Sequence, residues 1–330
     1  MMQFIADLGE LHRLHAAYNT STVIEVLRHL GVREVYSTVF MGPEHPLKFA
    51  LETAGVACTV LAEDDTQAQQ DQARMYDYLN QYAQGKKLIQ QRQRLDAGLL
   101  EFLRQPFTAQ STHSADTLRH MQQYHTNVGQ LLEEGPATAY RKQRLDRLAA
   151  KLQQIPDGVV LAALDDIPDL LDLVPDTQVA DLTNFRPGES SRLRALADRA
   201  ALIEEDDDLE TLVTSLLREE GDLLTPKSEL QYAAANIYLA VGDLESARSL
   251  LFDAAHGVKD DPRYLPGLIF ARLGQVRDAL GDRDNAIKAY QATLALSYAP
   301  EVATETAKQG MEAAFTMDGL PDTGEEVSES

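Results

Sequence analysis

The sequence predicts an α/β domain with a parallel sheet, followed by an all-α domain, and three observations carry that expectation. Strand-like and helix-like runs alternate through the first 65 residues. A Gly-Asp turn between two amphipathic patterns occurs in the last third, at Gly242-Asp243 and again at Gly281-Asp282. Beyond residue 190 no strand pattern returns. A chain of 330 residues is long for one core, and 44% hydrophobic residues are enough to fill two.

Residues 2–8 form an apolar run of strand formers. Asn19-Thr20-Ser21-Thr22 supplies cap chemistry for a helix with Val23, Val26, Leu27 and Leu30 on one face, and Gly31 stops it. A Val/Tyr/Thr-rich strand covers 34–40. Pro46 opens a second helix with Leu47, Ala50, Leu51 and Ala54 inward, and Gly55 ends it. The third strand is 56–62. Such alternation requires right-handed crossovers and a parallel, Rossmann-like sheet.

From Thr66 the pattern is helical and Gln-rich. Leu88, Leu95, Leu99 and Phe102 make one apolar stripe; Tyr140, Leu145, Leu148 and Leu152 make another. Pro106 and Pro136 mark helix boundaries, so three to five helices fill this stretch. Residues 158–164 then read as a buried strand and 178–182 as a last one. Residues 1–185 are therefore one α/β domain with a helical insertion over 66–153. Pro, Gly and Ser gather in 184–191, the boundary to a helical-hairpin domain over 190–315. The acidic run 204–208 reads as a solvated turn, and residues 316–330, acidic and poor in apolar side chains, as a disordered tail.

Thirty Lys and Arg against 52 Asp and Glu give a net charge of -22, which opposes nucleic acid and anionic membrane surfaces as partners. The single cysteine, Cys58, excludes an internal disulfide and reads as a small buried strand residue. No leader pattern opens the chain, and no apolar run is long enough to span a bilayer. A soluble, cytoplasmic protein is expected.

The hairpins of the last third resemble the tetratricopeptide (TPR) repeat. Phe270, Leu273 and Gly274 stand at the first-helix Trp, Leu and Gly places. Gly281, Ala286 and Tyr290 fill the turn glycine and the second-helix small and aromatic places. A looser copy carries Ala234, Ala235, Tyr238, Gly242, Ala247, Leu251 and Ala254. The two turn glycines stand 39 residues apart, against a family period of about 34. A longer loop over 256–263 accounts for the excess. Thr293 replaces the usual second-helix Ala, and Tyr298 the terminal Pro. Helices near 193–217 and 300–315 supply the missing unit and cap. The resemblance implies a surface that holds another protein, or a second copy of this chain, with Tyr232, Asn236, Arg272 and Gln275 in its groove.

The rim of the sheet is the other place for chemistry, because ligands of open parallel sheets bind beyond the strands' carboxyl ends. Glu10, His12 and His15 follow strand one; Glu44 and His45 follow strand two; Glu63, Asp64 and Asp65 end strand three; Asp165 and Asp166 follow the strand after the insertion. Their convergence would suit a divalent metal ion and an activated water. Gly9-Glu10-Leu11-His12 resembles the turn of the Tiki/ChaN/TraB superfamily, whose plan is an α/β sheet with a large helical insertion. The resemblance implies a metal-dependent hydrolase with Glu10 as base or ligand and His12 and Asp165 as ligands. Arg119 and Met121 match an Arg and Met of that insertion. The family's late Gly-x-Gly-His turn reads Leu164-Asp165-Asp166-Ile167-Pro168 here, and its strand-two carboxylate is replaced by Tyr36, Ser37 and Thr38.

Asn19, Thr20 and Thr22 are placed to offer a helix start to a small anion. No glycine-rich dinucleotide fingerprint, Walker sequence or Gly-x-Ser-x-Gly elbow occurs. His113, His120 and His125 read as surface residues of the insertion. The basic stretch 141–147 reads as a solvated helix face or a dock for an acidic partner. The leading function is a protein-interaction module with an α/β ligand-sensing platform, and a metal-dependent hydrolase is the alternative.

Overall fold

The computed structural model describes residues 1–64, 66–133 and 136–317, and it divides the chain into two compact units that meet between Asp198 and Arg199. Of the expected acidic tail, all but Thr316 and Met317 lies outside the described residues.

The first unit begins with Met2–Asp7 (β1), Thr20–His29 (α1), Glu34–Ser37 (β2), Pro46–Ala54 (α2) and Ala57–Val60 (β3). Five helices follow: Thr66–Leu79 (α3), Ala83–Leu103 (α4), Ala109–Thr112 (α5), Ala115–Leu132 (α6) and Pro136–Leu152 (α7). The sheet resumes at Val159–Ala163 (β4), then come Ile167–Leu173 (α8), Thr177–Val179 (β5) and Glu189–Ala200 (α9). All five strands are parallel, in the spatial order β3-β2-β4-β1-β5. β4 sits between β1 and β2, so the two strands made first never pair. Phe4, Ile5 and Ala6 of β1 and Val160, Leu161 and Ala162 of β4 have no exposed surface. Continuous apolar runs are what strands covered on both faces require. β3 lies at the edge, and Cys58 there is half-buried rather than buried, with Sγ 3.9 Å from Met41 Sδ.

α1 starts at a reciprocal cap. The Thr22 amide donates to Asn19 Oδ1 at 3.0 Å, and the Asn19 amide donates to Thr22 Oγ1 at 3.2 Å. Asn19 Nδ2 also donates to the Ser191 carbonyl at 2.9 Å, and Glu25 accepts the Gly188 amide at 2.7 Å. These bonds tie the start of α9 to α1. The sequence pattern changes at 184–191, but the two units divide later, inside α9.

The second unit holds Leu209–Arg218 (α10), Lys227–Ala240 (α11), Leu244–Gly257 (α12), Leu265–Ala279 (α13), Arg283–Ala295 (α14) and Glu301–Glu312 (α15). α11 packs on α12 and α13 on α14; α12 meets α13, and α14 meets α15. Gly242 (φ 82°) and Gly281 (φ 77°) end the first helix of each hairpin in the left-handed region, where a Cβ is strained. Asp243 then caps α12, accepting the Ser246 amide at 3.0 Å. Small residues let the helices approach: Ala235, Ala247 and Ala289 share a core with Leu239, Leu251, Leu273 and Val276. The Tyr290 ring lies between Gly274 and Gly310, where a Cβ would come within 2.3 and 2.2 Å of it. Among the described residues no helix is long and apolar enough to cross a membrane.

Candidate functional site

The connection leaving β1 heads toward β2, and the one leaving β4 heads toward β5. The direction of winding therefore reverses at the carboxyl ends of these two adjacent strands, where open α/β sheets take ligands. A cavity of about 930 Å³ opens at this edge of the sheet. Its wall includes Thr38, Val39 and Phe40 after β2, Glu63 and Asp64 after β3, and Asp165 and Asp166 after β4. α6 contributes His125, and α7 contributes Arg141 and Arg144.

Ion pairs hold this wall together. Arg144 donates through Nη1 to Asp166 Oδ2 and through Nη2 to Asp166 Oδ1, both at 2.7 Å. Arg141 donates to Asp166 Oδ1 at 3.2 Å, to the Asp165 carbonyl at 2.9 Å and to Asp169 Oδ2 at 2.7 Å. Arg141 and Arg144 are thus turned inward onto the β4 loop, not spread over a solvated face. His125 Nε2 lies 3.1 Å from Asp165 Oδ2. Burial and the neighbouring Asp165 push the Asp166 pKa up, against the pull of Arg144 and Arg141. At Asp165 burial also opposes ionisation, but the His125 hydrogen bond and the charges of His125, Arg141 and Arg144 bring its pKa below the ordinary value.

A second polar cluster is sealed beneath the end of β1. Asp7 has no exposed side-chain surface. Its Oδ1 accepts the Gly9 amide at 2.8 Å and lies 3.3 Å from His12 Nε2; its Oδ2 lies 3.4 Å from His45 Nε2. Burial opposes its charge, but the His12 and His45 contacts and the Gly9 amide lower its pKa overall. His12 Nε2 also lies 3.1 Å from the Leu8 amide nitrogen, and His12 Nδ1 lies 3.0 Å from the Tyr18 carbonyl oxygen. His113, expected at the surface, is buried. It accepts the Ala6 amide at 3.0 Å and donates to the Ala109 carbonyl at 2.7 Å. Burial drives its pKa down to about 4. Burial and the Asp7 charge push the Cys58 thiol up to about 11, the reverse of an activated nucleophile.

No family model, curated protein or solved structure matches the chain. The site therefore stands on its own geometry.

That geometry separates the residues proposed for a metal. Glu10 projects outward, 67% exposed, with Arg13 3.6 Å away. His12 faces inward to Asp7, and His15 packs on Phe107 at 4.9 Å between ring centres. Glu44 is exposed, and His45 turns to Asp7. Asp165 belongs to the cavity wall. Among the described residues no three His, Cys, Asp or Glu side chains are placed to hold a metal ion. Asn19, Thr20 and Thr22 are buried, and Asn19 and Thr22 are used by the helix cap. Arg119 is exposed beside Asp116, and Met121 is buried. His120 stacks on Phe102.

Asp7 and His125 are polar residues that the sequence reading did not join into a site. A charged residue closing an apolar strand was a visible signal for Asp7. Nothing in the spacing pairs His125 with Asp165.

In the second unit, Tyr232 and Asn236 lie on α11, and Arg272 and Gln275 lie on α13, all half-buried. Arg272 donates to Gln275 Oε1 at 2.8 Å. Asn236 Oδ1 is buried with no hydrogen-bond partner among the described residues.

Proposed function

We propose that this chain is a protein-interaction protein. Its tetratricopeptide-like helical unit holds a partner chain, and its Rossmann-like α/β unit serves as a ligand-sensing platform. One observation carries the reading. The first helices of two successive hairpins present half-buried polar side chains, and one of these atoms, Asn236 Oδ1, lacks a partner among the described residues. A buried unsatisfied acceptor costs about 1–3 kcal/mol, and a bound segment that draws the Asn236 amide outward supplies the missing donor. The glycine turns and the Ala-rich contacts between helices are also what the repeat resemblance calls for.

The test is parallel affinity capture with the full-length protein and with a variant carrying Asn236→Ala, Arg272→Glu and Gln275→Ala. A partner that binds the wild type, is lost from the variant and rebinds as a purified protein supports the proposal. Identical capture by both proteins sinks it. Light scattering on the same samples identifies the case in which the partner is a second copy of the chain.

A further inference from the structure

The first helices of the two hairpins, α11 and α13, meet each other as well as their own second helices. Arg272, on α13, is bonded to Gln275 Oε1 at 2.8 Å and makes no ion pair among the described residues. In a chain of net charge -22 carboxylates are abundant, yet none of the described ones reaches this guanidinium. On α11, Asn236 Oδ1 lacks a donor among the described residues. The surface that α11 and α13 share therefore offers one cation and one acceptor that are still to be matched.

The path of the chain after α15 leads toward it. The Phe315 amide donates to Asp278 Oδ2 at 2.9 Å, which brings the segment back onto the end of α13. Met317, half-buried, then packs on the core cluster that includes Leu239 of α11 and Leu273 and Val276 of α13. Tyr232 packs on the same cluster. The residues that follow, 318–330, carry five carboxylates and no Lys or Arg. Fully extended, such a segment reaches up to about 45 Å, whereas α13 is roughly 22 Å long. Its starting point, its reach and its charge all suit the surface beside it.

We propose that residues 318–330 dock along α11 and α13 of their own chain, pairing carboxylate with Arg272 and supplying a backbone amide to Asn236. The proposal rests on the partner-holding reading of the same surface and adds that a partner must displace the tail. A tethered segment meets its site at an effective concentration of about 1 mM, so the tail fills the surface when its own affinity is better than that.

Calorimetric titration with a synthetic peptide of residues 318–330 tests it on two full-length proteins. One is the wild type. In the other the tail carboxylates become amides, by Asp318→Asn, Asp322→Asn, Glu325→Gln, Glu326→Gln and Glu329→Gln. The variant is expected to bind one peptide per chain, at least about tenfold more tightly than the wild type, whose surface is already filled. Adding Arg272→Gln should weaken that binding about fivefold. Raising the salt from about 50 to about 500 mM should weaken it with no further substitution. No binding to the variant with peptide at about 1 mM overturns the proposal. Equal binding by the two proteins overturns it too, as does binding indifferent to both Arg272→Gln and salt. A wild type that scatters light as a dimer beside a monomeric variant assigns the tail to a second copy, and that result also overturns docking within one chain. The titration needs no external partner, so failure to capture one is a separate result.

Discussion

The interiors of the two units are built from different materials. The α/β unit buries Asp7, His12, His113 and Asp166, each held by partners distant in sequence or placed by a strand end. The helical unit is filled chiefly by Ala, Leu and Gly around Tyr290, with two buried carboxylates among the described residues, Glu229 and Asp278. Asp278 accepts from Arg283 and the Phe315 amide, and from the Tyr290 hydroxyl at 2.9 Å. The contrast separates two ways of specifying a structure. Close helix approach depends on the size of residues at regular spacing. A buried polar group depends on partners that only the finished fold brings to it.

The sharpest way to test the helical half of that contrast is Tyr290→Ala. The ring fills a slot between Gly274 and Gly310, and its loss should lower the stability of the full-length protein by about 4 kcal/mol. Urea unfolding measures this, and a change below about 1 kcal/mol would show that the helices close over the gap. For the α/β unit, Asp166→Ala leaves Arg141 and Arg144 partly buried without their shared carboxylate, at an expected cost of about 3 kcal/mol. An unchanged unfolding midpoint would remove the ion pairs from the account of the cavity wall.

His113 gives a pH-dependent measure of the same difference. Its pKa falls from 6.5 to about 4 on folding. The unfolded chain therefore binds the proton more readily, and stability should decline as pH falls from 6.5 toward 4, by up to roughly 3 kcal/mol. His113→Gln should remove that part of the slope in a pH series of unfolding curves; a slope that persists assigns it to other groups. The smallest effect belongs to Gly281→Ala, which places a Cβ at φ 77°. It should cost about 1 kcal/mol by thermal unfolding, and a neutral result would mean that the turn relaxes.

What could be read in advance follows the same division. The Asn19 cap, the Pro46 helix start, the Gly55 stop and the paired Gly-Asp turns are local, and their residues declare them. The apolar runs of β1 and β4 announce burial on both faces. The seat of β4 between β1 and β2 depends on long-range pairing, and no residue in either neighbour signals it. The site was harder to read still. Asp165 could be placed at a strand end, but its partner His125 comes from another helix, and His113 reaches β1 across the insertion. Arg141 and Arg144 look solvated until Asp166 is brought beside them.

The late arrival of β4 imposes an order on biosynthesis. β1, β2 and β3 leave the ribosome well before the strand that must join them, so the nascent sheet waits with its central seams unzipped. The helical hairpins depend mainly on neighbours in sequence, and short-range closure is fast. In refolding followed by pulsed hydrogen exchange, amides of α11–α14 should gain protection before those of β1 and β2. Simultaneous protection would show that the sheet needs no such wait.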